Sequence, residues 1–493
     1  MGILKKRAKR RLLSGDARGE EDKRLLNRLW TINIRNTLYF STFVLLVLFL
    51  KAFKVDQSKP LFVEFLPWEY LVANSLMLLV LLIAIYFYLR FRKPHLLTNP
   101  RLRLFAMLLL LGVALLGKAT DLLSPYLIPV AMGTGLATIF LGAETGFVMM
   151  LVLTFLAGMG APFSALVALV ALGGGMTALL STLRLQKISQ LIWAGVFIGL
   201  VNMLMYAVGA LGTGVEALTW QSLKSLMKTM IWAGLNGPAS ALLILGGIPV
   251  SEYITQKTSS LGLLELLNPS QPLLRMLRER APGTYHHSEC VANLAESAAQ
   301  AIGADPLLAK VGGYYHDIGK MRRPEFFVEN QNSALENPHE TISPSMSKVI
   351  IASHIKEGME LGREYGLKED VLQFIPQHHG RSVIRYFYLK ALREGAKDSV
   401  INMADYRYEA ELPKTKETAI LMLADSVEAA SRTLEDSSRI EDLVEEMVRE
   451  KLFDGQLNEG PLTMADLAKI KEAFCETLHA MRHARPEPYV KHA

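Results

Sequence analysis

The sequence predicts an all-α protein in two parts: a polytopic membrane helix bundle, then a soluble all-helical domain. Three observations carry this. Hydrophobic residues make up 51% of the 493 residues, with a mean hydropathy of +0.23, and they crowd into the first half. There they form runs of roughly 17–24 residues, long enough to cross a bilayer as helix. The second half has shorter segments of helical period separated by Ser, Pro, Gly and Asn, and almost nothing in it alternates with period two.

Residues 1–35 form a basic tail, with Lys5-Lys6-Arg7 and Lys9-Arg10-Arg11. A long polar stretch follows before any apolar run, so the tail is no cleavable signal, and Lys6 stands where myristoylation prefers a hydroxyl. It reads as a cytoplasmic retention signal that also touches anionic lipid. The first span is expected at 36–53 and a short external loop at 54–68. A seven-helix domain follows over 69–250, with apolar windows at 69–91, 102–119, 121–141, 144–160, 164–183, 188–211 and 228–250. Arg92, Lys93, Arg101, Arg103, Arg184 and Lys187 then fall on the same side as the tail, which is expected to place both termini in the cytosol. Charges within the spans are nearly absent. Asn202 and Asn236-Gly237-Pro238 are the polar or kinked interior features, read as helix packing and one kink rather than a solute site.

A helical connector is expected over 251–280, broken at Asn268-Pro269, and then a metal domain over 281–485 with a tail at 486–493. Helices are expected near 286–302, 305–319, 345–365, 368–378, 383–394, 415–434, 438–452 and 463–483. Cys290 and Cys475 belong to no CxxC, which suits a reducing compartment and excludes a disulfide framework.

Chemistry concentrates in that domain. His287, His316-Asp317, His354, His378-His379 and Asp425 supply more imidazole and carboxylate ligands than one ion needs. The His316-Asp317 pair ends an apolar run, Val311 to Tyr315, and Asp425 interrupts Leu421-Met422-Leu423-Ala424. A bare charge is costly in such places, and a metal is the usual remedy. A carboxylate shared between ions, here Asp317, suits hydrolysis of a phosphate ester. Lys320, just after the pair, could neutralise a phosphate oxygen. His286, His339, His479 and His483 read as packed or surface histidines. The ligand types admit Mn, Fe, Zn or Mg.

These residues resemble the signature of the HD-domain metal-dependent phosphohydrolases. His354 and His378-His379 are similar to additions in its two-metal subgroup. Further stretches resemble the seven-transmembrane HD-domain family of PgpH-type cyclic-di-AMP phosphodiesterases: Ala281 to Ser288, Arg323 to Gln331, Leu423 to Ala429, and Asp454-Gly455-Gln456-Leu457. The resemblance implies a membrane-anchored enzyme that hydrolyses cyclic di-AMP to linear pApA with two divalent ions, Mn or Fe. His287, His316, Asp317 and Asp425 would hold one ion, and Asp317 would bridge to a second held by His354, His378 and His379. Asp317 and Lys320 would then be catalytic, with Lys320, Arg407 and Tyr408 at the substrate. A sensory partner protein or a second copy of the chain is also expected, and no nucleic acid.

Two departures stand out. The family usually carries a large extracellular domain between the first two spans, where 54–68 offers about fifteen residues. Its F-R-Y-P-G-P loop reads Tyr406-Arg407-Tyr408-Glu409-Ala410-Glu411, which leaves the preferred nucleotide open. The competing readings are an HD phosphohydrolase of cyclic di-GMP or a mononucleotide, and a nucleotide-binding membrane receptor without turnover. No GYP motif of the cyclic-di-GMP branch is present.

Overall fold

The computed structural model describes residues 53–55, 63–159, 163–212, 219–331, 337–394, 401–434 and 436–483. The basic tail and the first expected span lie outside these residues, except for Phe53. The chain divides after Thr255 into two compact units.

In the first unit, Phe53–Val55 and Val63–Phe65 pair antiparallel in the segment read as an external loop. The longer helices are α1 (Trp68–Arg92), α2 (Pro100–Asp121), α3 (Val130–Leu141), α4 (Ala143–Gly158), α5 (Ala165–Thr182), α6 (Ile188–Gly212) and α7 (Trp220–Thr255). Five of these (α1, α2, α5, α6 and α7) are long and apolar enough to cross a membrane. The windows 121–141 and 144–160, read as full spans, contain the shorter α3 and α4. At 1.5 Å per residue these reach only about 18 and 24 Å, against a hydrocarbon core of about 30 Å. Proline explains the shortening: Pro125 and Pro129 cannot donate a backbone N–H, so the chain makes a turn at Pro125–Leu127 and restarts its helix at Val130. The short α3 is buried along nearly its whole length and forms the centre of the bundle. By contrast α1 presents bare apolar side chains outward, Val80 67% and Phe91 74% exposed, as a lipid-facing helix does.

The segment read as carrying one kink at Asn236-Gly237-Pro238 lies inside α7, which continues as one helix through Pro238 and Pro249. Asn236 serves the non-helical segment instead. Its Nδ2 donates to the carbonyls of Tyr126 and Ile128 at 2.8 and 3.0 Å, tying α7 to the proline-containing turn. A Cβ at Gly237 would overlap the Gly195 carbonyl, so α6 and α7 touch backbone to backbone.

The second unit contains α8 (Ser260–Leu266), α9 (Pro272–Arg280), α10 (Pro282–Ala301), α11 (Pro306–Tyr315), α12 (Pro344–Glu364), α13 (Arg385–Glu394), α14 (Lys416–Ser431), α15 (Ile440–Phe453) and α16 (Met464–His483). The connector breaks between α8 and α9, where Asn268-Pro269 stands. Its core is built around α14, whose residues Ile420 to Ala424 are fully buried against Val291 and Leu294 of α10 and Phe474 of α16. Two segments read as single helices are interrupted. After α11 the chain leaves helical geometry at Asp317 (φ −110°, ψ 15°) and continues as a 3₁₀ turn over Ile318–Arg322. The 368–378 segment becomes two short turns, Glu369–Leu372 and Phe374–Gln377. Both interruptions bring ionisable pairs to the ends of helical pieces.

Candidate metal centre

Five segments converge on one buried cluster. His287 comes from the first turns of α10, which starts at Pro282 and is fastened there by Asn330, whose Oδ1 accepts the Thr284 N–H at 3.1 Å. Asp305 caps α11 by accepting the N–H groups of Leu307 and Leu308, and the far end of α11 delivers His316 and Asp317. His354 lies on α12, which Ser343 caps. His378 follows Phe374–Gln377, and a left-handed Gly380 (φ +53°) turns the chain away after His379. Asp425 comes from α14. His287, His316, Asp317, His354 and His378 are 4% exposed or less.

Asp317 sits between two sets of imidazoles. Its Oδ2 lies 3.2 Å from His316 Nε2 and 3.5 Å from His287 Nε2. Its Oδ1 lies 3.6 Å from the Nε2 atoms of both His354 and His378. Asp425 Oδ1 is 3.0 Å from His287 Nε2, and its Oδ2 is 3.7 Å from His379 Nδ1. Two candidate ion-holding groups result: His287, His316 and Asp317, and His354, His378 and His379.

The donor set fits divalent ions on internal grounds. His316, His354 and His378 direct Nδ1 at the carbonyls of Gly313, Ile351 and Ile375, at 2.6–2.7 Å. A carbonyl only accepts, so each Nδ1 carries the proton and each Nε2 turns a lone pair inward. Among the described residues, His316 Nε2 and Asp317 Oδ1 are buried without a hydrogen-bond partner. Such orphaned atoms are expensive unless something is bound there.

The electrostatics agree. Burial pushes His378 down to about 3 and lowers His354 and His379 as well, so all three imidazoles are neutral at pH 7. Burial also opposes charge on His287, but the hydrogen bonds it donates to Asp425 and Glu428 outweigh it and raise this group to about 9. Burial would raise Asp317, yet His316 and Lys320 hold it well below the usual carboxylate range.

The remaining expected residues have mixed placements. Lys320 reaches the centre, with Nζ 2.7 Å from Asp317 Oδ2 and 2.9 Å from Glu329 Oε1. Tyr408 stacks on His379, with ring centroids 4.2 Å apart at 16°. Arg407 points elsewhere: it grips Asp454 through both terminal nitrogens at 2.7 and 2.9 Å and donates to the Arg381 carbonyl. The two carboxylates that distinguish this loop are each paired, Glu409 with Lys348 and Glu411 with Lys414. His339 is buried against the Phe326 carbonyl, while His286 and His479 lie toward the surface beside Glu289 and Glu441.

Sequence reasoning gave no role to two carboxylates here. Glu329 holds Lys320 and accepts from the Thr284 hydroxyl, and Glu428 accepts from His287 Nδ1 at 2.6 Å. The available signal for Glu428 is its spacing: it lies three residues after Asp425, on the same face of an apolar helix.

Comparison with known proteins agrees with this architecture. Residues 67–259 match the family model described as a 7TM receptor with intracellular HD hydrolase, and residues 284–430 match the HD domain. The chain is 37% identical over 370 residues to the cyclic-di-AMP phosphodiesterase PgpH of Bacillus subtilis, covering 73% of this chain and 51% of that protein. It is 37% identical over 313 residues to PgpH of Listeria monocytogenes, covering 63% and 42% respectively. The chain thus spans about half the length, or less, of these curated relatives. A crystal structure of the L. monocytogenes PgpH HD domain in complex with cyclic-di-AMP is 42% identical, covers 43% of this chain and 99% of that one, and has a TM-score of 0.41. With a seven-transmembrane match ahead of an HD match, and relatives that join the same two parts, this chain belongs to the seven-transmembrane HD-domain family.

Proposed function

We propose that this chain is a membrane-anchored phosphodiesterase that hydrolyses cyclic di-AMP to linear pApA at a two-ion centre facing the cytosol. The observation that carries the proposal is Asp317, a buried carboxylate with one oxygen toward His287 and His316 and the other toward His354 and His378. The substrate is inferred from the relatives, both named as cyclic-di-AMP phosphodiesterases. In this reading His287, His316, Asp317 and Asp425 hold one ion; Asp317, His354, His378 and His379 hold the other. Bound divalent ions would supply Lewis-acid activation of water and neutralise charge developing on the phosphate.

The chain's own groups do the rest. Lys320 keeps an ammonium beside Asp317 and offers it to a phosphate oxygen, while Glu329 keeps its side chain from swinging away. Tyr408 holds the His379 ring and presents an aromatic edge to a base. Arg407, locked on Asp454, fastens the loop that carries Tyr408.

The test is turnover by the full chain in detergent, loaded with Mn and given cyclic di-AMP, cyclic di-GMP and a nucleoside monophosphate side by side. Linear dinucleotide from cyclic di-AMP alone is expected. Preference for another substrate would move the assignment to the altered 406–411 loop, and bound metal without turnover of any would favour a receptor.

A second expectation concerns protons. The ordinary histidine value is 6.5 and His287 is raised to about 9, so His287 is protonated at pH 7.5 in the metal-free protein. Ligation needs its Nε2 lone pair. Loading the first ion at pH 7.5 should therefore release about one proton from His287, and this release should fade above pH 9. Calorimetric titration in two buffers of different ionisation enthalpy measures it; equal heats in both would contradict the assignment of His287.

A further inference from the structure

The ligand set itself does not call for Glu428, yet this carboxylate is buried directly behind it, with its side chain 6% exposed. We propose that Glu428 is a positioning residue that makes the two ion sites unequal. By supporting His287 it makes the ion held by His287, His316, Asp317 and Asp425 the more tightly bound of the two. The inference rests on the two-ion reading above and adds which site fills first and why.

The argument comes from what stands behind each imidazole. His316, His354 and His378 donate Nδ1–H to neutral backbone carbonyls. His287 donates its Nδ1–H to a carboxylate oxygen at 2.6 Å. A charged acceptor gives a shorter, stronger hydrogen bond and makes the opposite ring nitrogen a better donor. Arg432 holds Glu428 in place: its Nε lies 2.9 and 3.1 Å from the two oxygens, one turn further along α14. Asp425 and Glu428 lie three residues apart on that rigid apolar helix, so one element supplies both a ligand and the support of another ligand. Among the described residues the second group has no such support: His354 and His378 rest on carbonyls, and His379 Nδ1 stands 3.7 Å from Asp425.

The experiment uses the purified full chain, stripped with chelator and titrated with Mn, with bound ions counted by elemental analysis and affinities read by calorimetry. Wild type should fill in two unequal steps. Glu428→Gln keeps an acceptor without the charge and should weaken the tighter step about 10-fold; Glu428→Ala should weaken it about 100-fold. The weaker step should stay unchanged in both. Arg432→Met frees the carboxylate without deleting it and should weaken the same step by less, a comparison that survives if a Glu428 variant misfolds. Unchanged affinities in Glu428→Gln and Glu428→Ala, or equal weakening of both steps, would overturn the proposal. A wild type that takes up one ion or none would instead overturn the two-ion reading, and this inference with it.

Discussion

Asp317→Ala should lower phosphodiesterase turnover by about 10³-fold or more, equivalent to about 4 kcal/mol of transition-state stabilisation. The size follows from how many groups the residue serves. Each oxygen faces a different set of imidazoles, so deleting one side chain removes a ligand from both proposed ion sites. It also removes one of the two carboxylate partners of Lys320, which is then held by Glu329 alone. Folding should be far less affected. Removing a buried charge and leaving its partner normally destabilises a protein by about 3–5 kcal/mol, but here Glu329 still neutralises Lys320. Asp317→Asn sharpens the test, because it keeps the volume and one acceptor oxygen but places an amide donor where an ion should bind. Metal content and turnover should fall together in both variants. A variant that hydrolysed cyclic di-AMP within tenfold of wild type would exclude Asp317 as the bridging ligand.

The clustering of these side chains was legible in the sequence for a physical reason. Charged pairs at the ends of apolar segments have no inexpensive explanation other than a partner or an ion, and the structure brings His287, His316, Asp317, His354, His378, His379 and Asp425 into one cluster. What was not legible depended on partners distant in sequence. Arg407 reads as a substrate contact until Asp454 closes on it, forty-seven residues later. Glu428 has no assigned role in the sequence, because its partner His287 comes from 141 residues away. In the membrane half, periodicity located the apolar segments but not their lengths, because Pro125 and Pro129 shorten α3 and the 16-residue α4 follows a left-handed glycine at Gly142. Asn236-Gly237-Pro238 read as helix packing and one kink, because small residues let helices approach and proline lacks a backbone donor. The structure assigns it a tertiary role, supplying amide donors to a neighbouring turn and close contact with α6.

Gly319→Ala should be strongly damaging to the second unit, although glycine here ligates nothing. A Cβ at this position would overlap the carbonyl of His354 and come within 2.6 Å of the Gly358 nitrogen. Those neighbours are backbone atoms of α12, which cannot rotate aside as a side chain can. Gly319 belongs to the 3₁₀ turn that begins straight after Asp317, so the close approach of this turn to α12 is what places His354 3.6 Å from Asp317. One methyl group must therefore either push α12 outward or move the turn, and both open the gap between the two ligand groups. Overpacking of this kind costs about 3 kcal/mol. The variant that still folds should hold the first ion more nearly normally than the second, since His287 and Asp425 come from α10 and α14, away from the clash. Ion counting combined with thermal unfolding separates the two effects. A Gly319→Ala chain with wild-type stability and two ions bound would show that the contact between the turn and α12 is looser than the structure has it, and that His354 reaches the centre without it.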